Sequence, residues 1–305
     1  MTYQIKATGE PIELHVLANC DNSVVGLEVD NCKIIEMDYD DFYNLVIATR
    51  GEQEKNRFIH TLFKYHVFPR NSKETKENNE SIIVLEKAGK SVGRLSFVPF
   101  ILETLKLYQA TDIFSCYMIS YCVKNGQINH GGTIEFILRE HGLNTPSERY
   151  SLSDERKNSF NQWLESHQIV YEDQNQKFRT MLRLYLDSFL LHDANQSFVM
   201  IMIVLEMLFG SQNELVYRIS RGTGVFLSHS REEMREIMNS VKSLYNRRSQ
   251  YVHSGKSISY EELYQLRDIV RKVLVVMYEK GMHKEGYDFE TFAKEIVFDG
   301  YPKSN

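Results

Sequence analysis

The sequence predicts an α+β protein in two parts: a mixed, strand-rich N-terminal domain over residues 1–148 and an all-helical bundle over residues 149–305. Three observations predict it. Short apolar runs of alternating or β-branched type, separated by Gly, Asn and Asp, fill the first hundred positions. After Pro146 the apolar residues recur at steps of three and four instead. Helix start signals recur in that second part, at Ser153-Asp154-Glu155, at Ser230 with Glu233 and at Ser259 with Glu262.

Taken in order, strands are expected at residues 12–17, 23–29, 33–35, 81–85 and 92–98. Residues 70–80, rich in Asn, Lys, Glu and Ser, read as an exposed loop. A short helix is expected at 100–109. The apolar run 114–123 fits a buried strand or a buried helix, because periodicity alone does not separate the two. Beyond Ser153 comes a helix carrying Phe160, Trp163 and Leu164, then helices near 174–192, 196–209, 213–227, 230–253 and 259–280, and a short one near 288–297. Five or six helices with short connections make a bundle.

Composition narrows the class. The 305 residues carry a net charge of −5, which argues against a general nucleic-acid coat but leaves room for a local basic cleft. Cys20, Cys32, Cys116 and Cys122 are scattered without a C-x-x-C pair, so neither a disulfide framework nor a zinc knuckle is expected, and no metal or cofactor is implied. Met1-Thr2-Tyr3-Gln4-Ile5-Lys6 lacks the pattern of a secretory leader. The longest apolar run, 198–209, is too short to span a bilayer and contains Glu206. A cytoplasmic protein without a membrane partner is expected.

The stretch Leu244-Tyr245-Asn246-Arg247-Arg248-Ser249-Gln250-Tyr251-Val252-His253-Ser254-Gly255 is the most informative in the chain. Ile237, Val241, Leu244, Tyr245, Arg248 and Val252 share one helical stripe, so Arg248 stands where an apolar residue belongs. A guanidinium buried there unpaired costs several kcal/mol. It must therefore face an acid, a cleft or an interface. His253 lies at the helix stop suggested by Ser254-Gly255, and histidine is the side chain most readily tuned for proton transfer near neutral pH.

Arg248 and His253 resemble the R-x4-6-H signature of the HEPN superfamily of helical ribonucleases and nucleic-acid-linked toxins. The helix 198–209, then Glu214-Leu215-Val216-Tyr217-Arg218-Ile219-Ser220-Arg221, then Leu244-Tyr245 with Arg248-Ser249 and Val252-His253-Ser254-Gly255, is similar in order and content to the ApeA-like branch. The resemblance covers the C-terminal half. It implies a HEPN-type bundle, a homodimer whose cleft holds both copies of the motif, and a toxin-type endoribonuclease of anti-phage defence. Ser249 departs from the Asn, Asp or His commoner at that place in the superfamily, and fits the ApeA-like branch.

The spacing itself constrains the geometry. Five residues on an ideal helix set two side chains about 140° apart. Either the helix deforms or ends before His253, or a pocket forms where two copies meet about a twofold axis; the resemblance implies the second. The chemistry expected is metal-independent, with histidine as acid and base and Arg248 holding the phosphoryl oxygens. Glu206 is a candidate partner and orienter of Arg248, with contact to solvent or to Arg218 as the other reading. Ser249 and Tyr245 are supporting candidates. Arg247, Arg218 and Arg221 could contact RNA phosphates and Tyr251 could stack a base, although a solvated helix face explains the arginines as well. The bland reading of the motif is that Arg248 pairs with a buried acid and His253 ends a helix. The competing function is a non-catalytic HEPN-fold dimer that holds RNA, nucleotide or a protein partner. The N-terminal domain is expected to sense a trigger, bind an inhibitor or restrain the dimer.

Overall fold

A computed structural model describes residues 10–29, 31–51, 81–89, 100–125, 127–134, 149–170, 175–191, 193–210 and 214–298. It is an α+β protein, with an N-terminal antiparallel sheet region and a C-terminal helical region. Two compact units emerge, one formed by Met1–Lys106 with Thr111–Leu164 and the other by Leu107–Ala110 with Glu165–Asn305.

In the first unit the strands are β1 (Ile12–Ala18), β2 (Glu28–Val29), β3 (Cys32–Asp38), β4 (Ser81–Ala88), β5 (Phe114–Lys124) and β6 (Gln127–Ile134), in spatial order β2-β3-β4-β1-β5-β6. All neighbours pair antiparallel. Along β1, Ile12, Leu14, Val16 and Ala18 join a core with Phe42, Leu45 and Val46 of α1 (Tyr39–Arg50). The alternate residues His15 and Leu17 point to the other face and are just as buried, as are Ile34 and Leu85 beside them. β1 itself alternates apolar and polar from Ile12 to Val16, and the cover on its second face buries His15 as well.

The run 114–123 is a strand; its core residues Cys116, Tyr117, Ile119 and Tyr121 take part in a sheet that leaves no room for a helical turn. Residues 23–29, expected as one strand, are instead a 3-10 turn at Asn22–Val24 followed by the two-residue β2. The turn wins because the Asp21 carboxylate accepts from the Ser23 amide at 2.9 Å, an alternative to ladder pairing. Two elements escaped the pattern: α1, capped by the Asp38 side chain on the Asp40 amide, and β6, which follows Asn125 at φ 52° in a hairpin. The expected strand 92–98 and loop 70–80 lie outside the described residues.

α2 (Phe100–Tyr108) runs where the short helix was expected, and α3 (Asp154–Ser166) carries the fully buried Phe160. α3 belongs to the first unit as far as Leu164, so the units part at Leu164/Glu165 rather than at 148/149. The physical reason is a set of ties. The Leu152 amide donates to Ser23 Oγ at 2.8 Å, Lys157 Nζ donates to the Val25 carbonyl, and Tyr150 Oη donates to the Leu105 carbonyl at 2.9 Å.

The second unit holds α4 (Gln176–Asp187), α5 (Ala194–Phe209), α6 (Leu215–Leu227), α7 (Arg231–Ser254), α8 (Tyr260–Glu279) and α9 (Phe289–Phe298). Asn175, Asp193, Ser230 and Ser259 cap α4, α5, α7 and α8, and Ser259 with Glu262 forms the complete reciprocal box. At Ser230 the box is offset, since Glu233 reaches back to the His229 amide. α5 is apolar almost all round and occupies the core. Gly222 and Gly224 of α6 allow close approach: a Cβ at either would lie 2.5 Å from the Phe209 ring or from Met238 Cγ. Gly222-Thr223-Gly224 is thus buried mid-helix, where it serves packing. Among the described residues no helix is long and apolar enough to cross a membrane.

His15 gives the first unit a pH-dependent stability. Its Nδ1 lies 3.2 Å from Ser115 Oγ and its Nε2 3.6 Å from Glu13 Oε2, with Lys87 Nζ 3.3 Å from the same carboxylate oxygen. Burial pushes the imidazole below its ordinary value of 6.5, and Lys87 adds to this, while Glu13 opposes it. A depressed folded-state pKa means that the native state is favoured above pH 6.5, and that this advantage is lost as pH falls, because the unfolded chain takes up the proton first. Glu13 is itself held below the usual carboxylate range, so it titrates in a separate, more acidic window. The urea midpoint of the native protein should therefore fall between pH 7 and pH 5 by more than that of His15→Gln. Equal slopes would assign the effect to other groups.

Candidate functional site

The motif residues ride on α7, whose sequence favours an unbroken helix. Val241, Leu244 and Tyr245 are buried on one side, charged residues face out on the other, and Gly255 ends the helix at φ 70°, its amide donating to the Tyr251 carbonyl at 2.9 Å. The helix continues through His253 to Ser254. A pocket made by a helix that stops before His253 is therefore not what this chain forms. Arg248 faces inward and is half-buried, whereas His253 is exposed in the last turn, about 7.5 Å further along the axis and about 140° round it.

Arg248 Nη2 lies 3.6 Å from Glu206 Oε1 of α5, so the partner expected for the arginine is the one it has. Glu206 does not bond Arg218. At 3.6 Å the contact is an ion pair rather than a hydrogen bond. Glu206 Oε1 and Arg248 Nε make no hydrogen bond, although both atoms are buried. Tyr245 completes the group: Arg248 Cζ lies 5.8 Å from its ring centroid. Burial first, then the negative charge of the Glu206 carboxylate, raise the Tyr245 pKa, while Arg248 pulls it down. The three side chains form a partly satisfied polar cluster on the inner side of α7. Ser249 is half-buried next to it.

No protein-family model matches this chain, and no curated protein or solved structure is significantly similar to it.

Arg247, Arg218 and Arg221 were candidates for RNA contact, and the structure gives each another occupation. Arg247 Nε donates to Glu262 Oε1 at 2.5 Å, and its two terminal nitrogens donate to Gln250 Oε1 at 2.7 Å and to the Ser257 carbonyl at 2.8 Å. Burial works against ionisation of Glu262, but hydrogen bonds from Arg247 and Ser259 outweigh it and hold the carboxyl below its usual range. Arg218 is 9% exposed, with Nε 3.4 Å from the Phe209 carbonyl and its guanidinium 5.1 Å from the Phe298 ring centroid. Arg221 Nε donates to the Val297 carbonyl at 2.5 Å. Both thus satisfy carbonyls at the C-terminal ends of α5 and α9, where orphan acceptors and the helix dipole favour a cation. Tyr251 is half-buried and, two positions before His253, points about 200° round the helix from it.

Sequence reading missed the clamp behind His253. Asn195 Oδ1 at the start of α5 accepts from the Ile258 amide at 2.7 Å, while Arg247 holds the Ser257 carbonyl and the cap of α8. The turn carrying the end of α7 is thereby fixed, and the exposed His253 stands on a rigid mount. The sequence signal for it was the capping glutamate, which serves both the Ser259 box and Arg247. The expected cost of Arg247→Ala is about 1 kcal/mol of stability in urea denaturation, since the pair is partly exposed. Unchanged stability together with weaker RNA binding would return Arg247 to the role of a phosphate contact.

Proposed function

We propose that this chain is a metal-independent endoribonuclease of the HEPN class, of the toxin type that acts in anti-phage defence, and that it works as a homodimer through its C-terminal unit. One observation carries the reading: Arg248 and His253 stand on different flanks of one unbroken helix, the arginine paired with an acid and the histidine exposed in the last turn. A second copy lets the two flanks meet. In such a cleft a neutral His253 takes the proton of a ribose 2′-hydroxyl, whose oxygen bonds to the adjacent phosphorus. The P–O5′ bond breaks, and the second copy's protonated His253 gives its proton to the leaving oxygen. Arg248 holds the non-bridging oxygens as negative charge builds. The products are a 2′,3′-cyclic phosphate and a 5′-hydroxyl. Glu206 orients the guanidinium, with Tyr245 beside it. Tyr251, one turn on from Arg248 on the same helix, is assigned to stack a base. The first unit is assigned a sensing, inhibitor-binding or restraining role.

A second reading has its own support. The Glu206 carboxylate already compensates Arg248, which gives the arginine a structural reason to be there without cleavage. On that reading the chain is a non-catalytic HEPN-fold dimer that binds RNA, nucleotide or a protein partner.

Cleavage separates the two. His253→Ala and Arg248→Ala should each lower RNA cleavage by about 10²- to 10⁴-fold with the fold retained, and cleavage by the native protein should persist in EDTA with cyclic-phosphate ends. Native cleavage rates in either folded variant would remove the catalytic assignment. Absence of any cleavage, with RNA still bound, would favour the binding module.

Mixing the two variants tests the dimer. A heterodimer of His253→Ala and Arg248→Ala keeps one arginine and one histidine, leaves a lone proton-transfer group, and should remain far below native activity. Full activity from a strictly monomeric native protein would sink the two-copy model.

A further inference from the structure

The sheet of the first unit divides at one end. β1 and β4 pair from Ile12↔Ala88 to Val16↔Val84 and no further, although β1 continues to Ala18 and β4 begins at Ser81. Past that point β1 follows β5, with Leu17↔Ser115 and Ala18↔Phe114 after a register shift, while β4 stays with β3 through Ile83↔Glu36 and Ser81↔Asp38. Asn19, at φ 58° with its amide donating 2.5 Å to the Asp112 carbonyl, turns the chain away from the strand direction. A cavity of about 620 Å³ lies in the fork, lined by Leu17, Ala18, Ile82 and Ile83 together with polar residues of the turn 19–23 and Ser81. That is within the range of about 300 to 1,000 Å³ found for small-molecule sites.

The polar rim of this cavity has a definite charge logic. Asp21 lines it, but its carboxylate already accepts from the Ser23 amide at 2.9 Å, from the Ser23 hydroxyl and from Ser151. Arg149 lines it too, exposed, and among the described residues no ion pair or hydrogen bond occupies its guanidinium. The backbone on either side of that arginine is nonetheless fixed. The Tyr150 amide donates to the Asn19 carbonyl at 2.7 Å, the Asp21 amide donates to the Tyr150 carbonyl at 3.2 Å, and the Tyr150 side chain is fully buried. The rim therefore offers a mounted cation with no ion pair or hydrogen bond among the described residues, near an Asp21 carboxylate whose ionised form it helps to favour.

We propose that the fork between β1 and β4 binds a small organic anion of about nucleotide size, with Arg149 receiving its phosphate or carboxylate group and the polar turn 19–23 with Ser81 bordering its body. A planar fork of donors suits either anion. The proposal does not depend on the ribonuclease reading.

Calorimetric titration of the full chain with ribose 5-phosphate, adenosine 5′-monophosphate, citrate and inorganic phosphate tests it. At least one organic anion should bind at a single site and more tightly than inorganic phosphate. Arg149→Ala should weaken that binding by about tenfold or more, and Arg149→Lys by less. Because Arg149 is exposed, both variants should melt like the native protein. Binding of the phosphorylated probes alone, or of citrate alone, identifies which anion the site takes. No binding by any organic probe, equal binding in Arg149→Ala, or inorganic phosphate binding as well as the larger anions would each overturn it.

Discussion

An α-helix turns 100° per residue, and the second unit is organised around what that rotation does to Arg248 and His253. Because α7 continues unbroken to Ser254, the two residues diverge, one toward the bundle and one toward solvent. The inward arginine then requires an acid, and Glu206 of α5 supplies it. The outward histidine requires a fixed base, which Arg247, Glu262 and Asn195 provide by clamping the turn behind it. Each feature of the site follows from this geometry.

The same unit uses its other arginines to solve a helix-end problem. Four carbonyls at each helix C-terminus lack partners within the helix. Arg218 and Arg221 project from α6 to carbonyls at the ends of α5 and α9, while Gly222 and Gly224 let that helix approach its neighbours closely. A segment that looks basic in the sequence is therefore partly an internal fastening. The contrast with Arg248 is instructive. Arg218 and Arg221 donate directly to backbone oxygens, whereas Arg248 sits at ion-pair distance from a carboxylate with its Nε unbonded.

Much of this was legible in the sequence for physical reasons. The helices of the second unit follow from 3.6-residue periodicity and from Ser and Asp caps, signals written within a few neighbouring residues. The Glu206–Arg248 pair was legible as well, because a lone acid in the apolar run 198–209 and a lone base on an apolar stripe each need a partner. In the first unit the signals are weaker. Residues 23–29 look extended but fold as a turn, since the side chain of Asp21 outcompetes strand pairing locally. α1 went unseen because its apolar face, Phe42, Leu45 and Val46, is short and follows an acidic start.

By itself the sequence determined the α+β class, the order of helices in the C-terminal part and the Arg248–His253 motif, because periodicity, caps and spacing are local properties of the chain. The tertiary structure decided that α7 continues unbroken through His253, that Arg247, Arg218 and Arg221 serve carbonyls and a capping acid, and that β1 and β4 part beside Arg149. Those outcomes depend on which distant groups meet. A guanidinium looks the same in sequence whether it will face solvent, a carboxylate or the end of another helix, and only the packed fold assigns it one of them.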